Sequence, residues 1–326
     1  MRRLLSCLPM AFACATAAAA PFAYITNQGS HDVSVIDLAT QRVVATVPVG
    51  RSPAGVVASS AAGKVYVSNP DSKSISVIDM RTQAVVNTLP AGEGPVGIDA
   101  SADGRWLLVA DWYGQRLLAW DLHTPGRTPL VVPVGKAPAG VAAHDRLGVA
   151  FVAERDDDSV AVIDLATARV RSRVRVGTHP FALLHDAARQ RIYALNVQSD
   201  DVSVVSVADL DNPRVVATLK VGKAPYGAAL AAGGRLLYVT NQHDDTVSVI
   251  DADSWKPQRT LRGFGYPEGV AAFADQVYVV NWMDDNVSVL DAASGRALAT
   301  IATGKNSRGF GAFIGAPLDV SPSPVR

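Results

Sequence analysis

The sequence predicts an all-β fold, a seven-bladed β-propeller of four-stranded blades closed by pairing a C-terminal strand with the N-terminal blade. Three observations carry this expectation. Two marker series keep one period through seven copies, every copy alternates β-branched residues, and the two ends of the chain are offset by one strand.

The first marker closes an apolar run: Asn27, Asn69, Asp111, Glu154, Asn196, Asn241 and Asn281. The second ends the next run: Asp37, Asp79, Asp121, Asp164, Ser206, Asp251 and Asp291. Both series take the same steps of about 42 residues, the size of a blade holding four short strands. Within a copy, runs such as Val33-Ser34-Val35-Ile36-Asp37 alternate and are β-branched, which is a strand signature. Gly, Pro, Asp and Asn separate the runs, where turns need them. Most copies then continue through a Gly-x-x-Pro-x-Gly stretch, as in Gly50 to Gly55, and the segment with Phe264 and Tyr266 breaks the pattern. A four-stranded sheet cannot bury its own faces, so such units stack around an axis. The first copy starts directly at Ala23-Tyr24, whereas the last is followed by an extra strand from Ser307 to Ile314. That strand is expected to become the innermost strand of the blade begun at Tyr24, a closure that removes exposed sheet edges.

The first twenty residues have a different character. Arg2 and Arg3 precede an apolar stretch from Leu4 to Ala15, and Ala17 to Ala20 supply small residues at a cleavage spacing, the layout of a secretory signal peptide. The chain is thus expected to divide into a signal peptide over 1–19, the propeller over 20–315 and a disordered tail over 316–326. A periplasmic or secreted location follows from this expectation, with lipidation at Cys14 as a minority alternative. Both cysteines, Cys7 and Cys14, fall in the leader, so the mature chain has no thiol for disulfides or thiolate metal sites. No stretch approaches the roughly 20 apolar residues of a transmembrane helix. Lys+Arg and Asp+Glu are both 30, so no net field draws nucleic acid. A monomer is expected.

Tyr238-Val239-Thr240-Asn241 followed by Thr246-Val247-Ser248-Val249-Ile250-Asp251 resembles the YVTN-repeat β-propeller family, including the YncE-like periplasmic propellers. The resemblance covers residues 21 to 315. It implies a seven-bladed propeller, exported and without established catalysis, and it leaves the ligand open.

Strand order places the Gly-x-x-Pro connections and the loops after the first marker on one face. Loops on a rigid scaffold carry function, so this face is the candidate. Around its inner ring lie Arg51, Glu93, Lys136, His179, Phe181, Lys223, Tyr226, Tyr266, Glu268, Lys305 and Arg308. The Gly and Pro serve the turn and the strand start, while these residues vary and are free to form a site. Basic residues outnumber acidic ones there, which suggests a mildly cationic funnel for a small anionic ligand or a partner protein. Trp112 and Tyr113, with Trp282 in the last copy, add aromatic anchors in an outer ring. Replacing Arg308 and Lys223 together is expected to weaken capture while leaving thermal stability nearly unchanged.

Adjacent acids such as Asp244-Asp245 and Asp284-Asp285 lack the ligand spacing of a calcium loop and are read as turn residues. The strand-end Asp series is read as Asx-type turns. The six histidines do not form the ring a copper cluster needs, and no Cys-x-x-Cys-His attaches a haem. No metal or cofactor is therefore expected, with metal or haem binding as a weak alternative. Were the chain an enzyme, a lactonase-like hydrolase or lyase at the axis would use His179, Glu268 and Arg308.

Overall fold

The computed structural model describes residues 21–317 apart from 125 and 145–147. The expected signal peptide with Cys14, and the tail from residue 318 onward, lie outside the described residues. Seven antiparallel sheets are present among the described residues. No described helix is long and apolar enough to cross a membrane.

Blade 1 holds β1 (Phe22–Asn27), β2 (Asp32–Asp37) and β3 (Arg42–Pro48). Each later blade has four strands ordered from the axis outward, as in blade 6: Pro225–Ala231, Leu236–Asn241, Thr246–Asp251 and Pro257–Arg262. The two middle strands are buried along almost their whole length because a neighbouring blade covers each face. This is why the second strands read as near-continuous apolar runs, while the alternating third strands bury even their central serines, such as Ser34 and Ser248. Outer strands show the opposite pattern, and Arg169–Arg175 alternates half-buried and exposed residues. A bulge recurs between the third and outer strands at Val35/Ile36, Val77/Ile78, Val162/Ile163, Val204/Val205, Val249/Ile250 and Val289/Leu290. Such bulges increase local twist, which a radially packed blade requires.

The Tyr-Val-Thr-Asn pattern has a position-by-position physical meaning. Tyr24, Tyr193, Tyr238 and Tyr278 are wholly buried, and the Tyr238 hydroxyl crosses to the next blade to donate to the Ala292 carbonyl at 2.8 Å. Burial pushes the Tyr24 and Tyr278 phenols up to about 12. Thr240 Oγ1 donates to the Glu268 carbonyl of the next blade at 2.6 Å, and Ser68 and Thr26 do the same to Val96 and Ala54. The Asn is a clasp. In five blades its side-chain amide donates to the serine seven residues on, as Asn196 does to Ser203 at 2.9 Å. Two blades carry an acid instead, with Leu118 and Ala161 in place of that serine. There Asp111 accepts from Arg116 at 2.8 Å and Glu154 from Arg173 at 2.9 Å. A carboxylate cannot donate, so a guanidinium takes over the clasp.

Gly50 and Gly97 act through space rather than through turn geometry. A Cβ on Gly97 would lie 2.0 Å from the Ala139 carbonyl of the adjoining blade, and one on Gly50 would lie 2.6 Å from the Asn69 side chain. In five connections the left-handed conformation falls on the residue preceding the proline, Ser52, Ala137, His179, Ala224 and Tyr266, whereas the connection to Pro95 places it on Gly92 at φ +82. Each acid pair holds these connections. Asp245 Oδ1 accepts from Tyr266 N–H at 2.9 Å, and Asp244 Oδ2 from Lys223 N–H at 2.7 Å. The strand-end acids form the expected turns, with Asp164 Oδ1 accepting from the backbone N–H groups of Ala166 and Thr167.

Closure is by the C-terminal strand, with one departure from expectation. Ser307–Arg308 and Ile314–Gly315 pair with β1, but the segment between them crosses toward blade 2. Val56 and Ala58 donate to the carbonyls of Phe310 and Ala312 there. Gly311, at φ +125, permits the excursion, since its Cβ would stand 2.3 Å from the Val56 carbonyl. The closing segment thus joins two blades rather than one. A single apolar cluster containing Tyr278, Tyr24, Phe313 and Ile78 runs from blade 7 through blade 1 to blade 2.

Candidate functional site

Register places the Gly-x-x-Pro connections and the loops after the Asn marker on the same face, because Pro180 pairs with Asn196 and Pro225 with Asn241. Phe181, Tyr226 and Phe310 meet there from blades 5 and 6 and the closing segment. Their ring centroids are 4.6 Å apart for Phe181 and Tyr226, and 5.0 Å for Phe181 and Phe310. Trp112 extends this cluster at 6.2 Å from Phe181, and the Arg155 guanidinium stands 5.6 Å over the Trp112 ring. On the other side Tyr266 lies 5.5 Å from Trp282 and bonds His243 Nε2 at 3.2 Å.

The aromatic cluster separates two cavities, and Tyr226 lines both. One, of about 510 Å³, opens on the candidate face between Trp112, Arg155, His179, Phe181, Gln242 and His243. The other, of about 430 Å³, follows the axis between the inner strands and reaches Asp99 and His185 toward the opposite face. His185 lies 4.9 Å from His144, and Asp99 accepts from the Ala143 N–H at 2.8 Å. Among the described residues no group of three or more His, Cys, Asp or Glu is placed to hold a metal ion.

Arg308 and Glu268 form a buried ion pair with contacts of 2.7 and 3.0 Å. Gln242 donates to the same carboxylate at 2.8 Å, and Arg308 also donates to the Tyr226 hydroxyl at 3.2 Å. Burial disfavours the Arg308 charge, but the Tyr226 and Glu268 oxygens outweigh it and raise its pKa. Burial raises Tyr226 as well, with Arg308 opposing and Glu268 adding to it. The pair ties the closing segment to blade 7. Replacing Arg308 would leave Glu268 as an uncompensated buried charge, so the expectation of near-unchanged stability in the Arg308 and Lys223 double replacement is corrected.

The sequence-predicted residues therefore separate into two sets. Trp112, His179, Phe181 and Tyr226 share one basin, with Tyr266, Glu268 and Arg308 packed next to it and Trp282 beyond. Arg51, Lys136, Lys223 and Lys305 are exposed around the rim, and Tyr113 is 75% exposed outside the basin. Glu93 pairs with Lys73. The funnel wall is aromatic, and its lysines stand outside. Arg155, Gln242 and Phe310 were not among the expected site residues. The first two occupy the position immediately after the Asn marker, the position that also holds Trp112 and Trp282.

Comparison with known proteins bears on the family and the fold. Residues 58–149 match the YNCE-like beta-propeller family. This match bears out the resemblance read from the Tyr-Val-Thr-Asn repeats. No curated protein matches the chain. Hydrazine synthase from Kuenenia stuttgartiensis superposes with a TM-score of 0.72 at 20% identity, covering 83% of this chain and 92% of that one. A functionally unknown protein from Desulfotomaculum acetoxidans gives 0.77 at 14% identity, covering 91% and 99%. The dihydro-heme d1 dehydrogenase NirN, in complex with DHE, gives 0.65 at 18% identity, covering 90% of this chain and 66% of that one. At these identities the likeness is one of fold.

Proposed function

We propose that the protein is a non-catalytic periplasmic or secreted β-propeller scaffold that binds a small anionic ligand through its Gly-x-x-Pro face. One observation carries this reading. The basin at the mouth of the axis is lined by Arg155, His179 and His243 together with aromatic walls, and no carboxylate lines it. Pockets of about 300–1,000 Å³ with apolar walls and few polar groups suit small molecules. The signal-peptide layout of residues 1–19 supports an exported location.

A hydrolytic reading draws less support. Glu268 is 1% exposed and both carboxylate oxygens already accept hydrogen bonds from Arg308 or Gln242, so it is not placed as a base. A haem-binding reading rests on His179 and His243, which line the same basin, and haem titration followed by absorption tests it. The test of the main reading is a thermal-shift screen of the mature chain against small carboxylates and phosphates. Ligands that raise Tm in the wild type and fail to do so in a His179→Ala/Phe181→Ala variant support it. A screen with no stabilising anion counts against it.

A further inference from the structure

The basin's walls say more about its ligand than its charge does. Trp112, Phe181 and Tyr226 present ring surface from three different blades, with Trp112 and Phe181 6.2 Å apart and Phe181 and Tyr226 4.6 Å apart. Phe181 and Trp112 are half-buried, so ring area remains open to the cavity, whereas Tyr226 is 8% exposed and forms the floor. The backbone holding this wall is constrained. His179 sits in the left-handed region at φ 54, with its N–H donated to Asp158 Oδ1 at 2.9 Å, and Pro180 follows. A strained residue fixed by a neighbouring loop sets the start of the strand that carries Phe181. Beneath the floor, Arg308 bonds the Tyr226 hydroxyl and Glu268 accepts from Gln242, so the base of the basin is preorganised. The guanidinium of the basin stands at its edge. Arg155 lies over the Trp112 face and pairs with Asp156, a side chain that is 44% exposed.

We infer that the basin takes a planar aromatic carboxylate of one or two fused rings. Its ring would pack against the cavity-facing surfaces of Trp112 and Phe181, which touch each other and form one continuous wall over Tyr226, and its anion would lie against Arg155 with His179 and His243 alongside. The chemistry is that of π-surface for a flat ring and a planar guanidinium for a planar carboxylate. An aliphatic anion would meet the same guanidinium and leave the ring surfaces without a matching face. This inference rests on the proposed anion-binding role and names the class of ligand.

The test uses the mature chain, calorimetry and quenching of tryptophan fluorescence with three probes. 2-Naphthoate carries both ring and charge, cyclohexanecarboxylate the charge alone, and 2-naphthamide the ring alone. 2-Naphthoate is expected to bind at least about tenfold more tightly than either, the size of one good aromatic or charge-assisted contact. Phe181→Ala and Arg155→Gln are each expected to lower its affinity about tenfold, Phe181→Ala with a lower Tm because Tyr226 and Phe310 lose a packing partner, so its affinity is measured well below its melt, and Arg81→Gln on the opposite face leaves the affinity unchanged. Trp112→Phe should keep binding and lose most of the quenching. Equal binding of naphthoate and cyclohexanecarboxylate, both lost in Arg155→Gln, overturns the aromatic preference and leaves the anion-binding role standing. Naphthoate affinity that survives Phe181→Ala also overturns the inference. Binding of none of the probes at millimolar concentration, together with a blank anion screen, removes both.

Discussion

Replacing Arg308 by methionine removes a guanidinium that is 19% exposed and leaves the 1%-exposed Glu268 carboxylate without its counter-charge. Breaking a buried pair on one side costs about 3–5 kcal/mol, and the residual exposure of Arg308 favours the lower end, about 3–4 kcal/mol. For a domain of about 300 residues, unfolding entropy converts this to a fall in Tm of roughly 5–6 °C. The second arm of a mutant cycle is Glu268→Gln. A glutamine keeps an acceptor for Gln242 Nε2 and needs no cation, so Arg308→Met/Glu268→Gln should recover about 2 kcal/mol of the loss. Urea unfolding of the four proteins, checked by calorimetric Tm, measures the coupling. A double variant no more stable than Arg308→Met alone would refute the claim that Glu268 is held by this ion pair.

Four further outcomes follow from the same geometry. Asn196→Ala removes the amide that bonds Asp201 and Ser203, and it should cost about 1–3 kcal/mol in urea unfolding. Gly97→Ala places a methyl 2.0 Å from the Ala139 carbonyl, a backbone atom that cannot rotate away, so it should destabilise by roughly 1–3 kcal/mol. Asp79 is lowered from 3.8 to about 2 by its hydrogen bond from Lys64 and by the turn N–H of Thr82. Its folded-state pKa lies below the unfolded one, so its stabilisation is complete above about pH 4 and is lost as pH falls toward 2. Tm measured across that window should therefore fall less steeply in Asp79→Asn than in the wild type. Asp111→Asn leaves Arg116 facing an amide with no serine seven residues on, so it should destabilise blade 3 although asparagine is the commoner residue at that position. A melt equal to the wild type would contradict that account of the clasp.

Much of the architecture was legible because each blade repeats its instructions locally. The Asn series, the strand-end Asp series and the offset chain ends locate every strand without any long-range information. Even the substitution of the clasp can be read from the chain, since Asp111 and Glu154 coincide with loss of the serine seven residues later. The closing strand was legible in outline only. Its excursion toward blade 2 depends on Gly311 lying against the Val56 carbonyl, a contact between residues far apart in sequence.

The candidate site divides in the same way. The face, and the variable positions His179, Phe181, Tyr226, Glu268 and Arg308, follow from the order of strands within one repeat. Which of them meet does not. Phe181, Tyr226 and Phe310 come from two blades and the closing segment, and Arg308 reaches Glu268 only because the circle closes beside blade 7. Local sequence sets strand, turn and blade, because those depend on neighbours a few residues away. The tertiary ring alone decides which variable side chains share a cavity and which charges are neutralised, because those depend on where seven separate blades bring their inner ends around one axis.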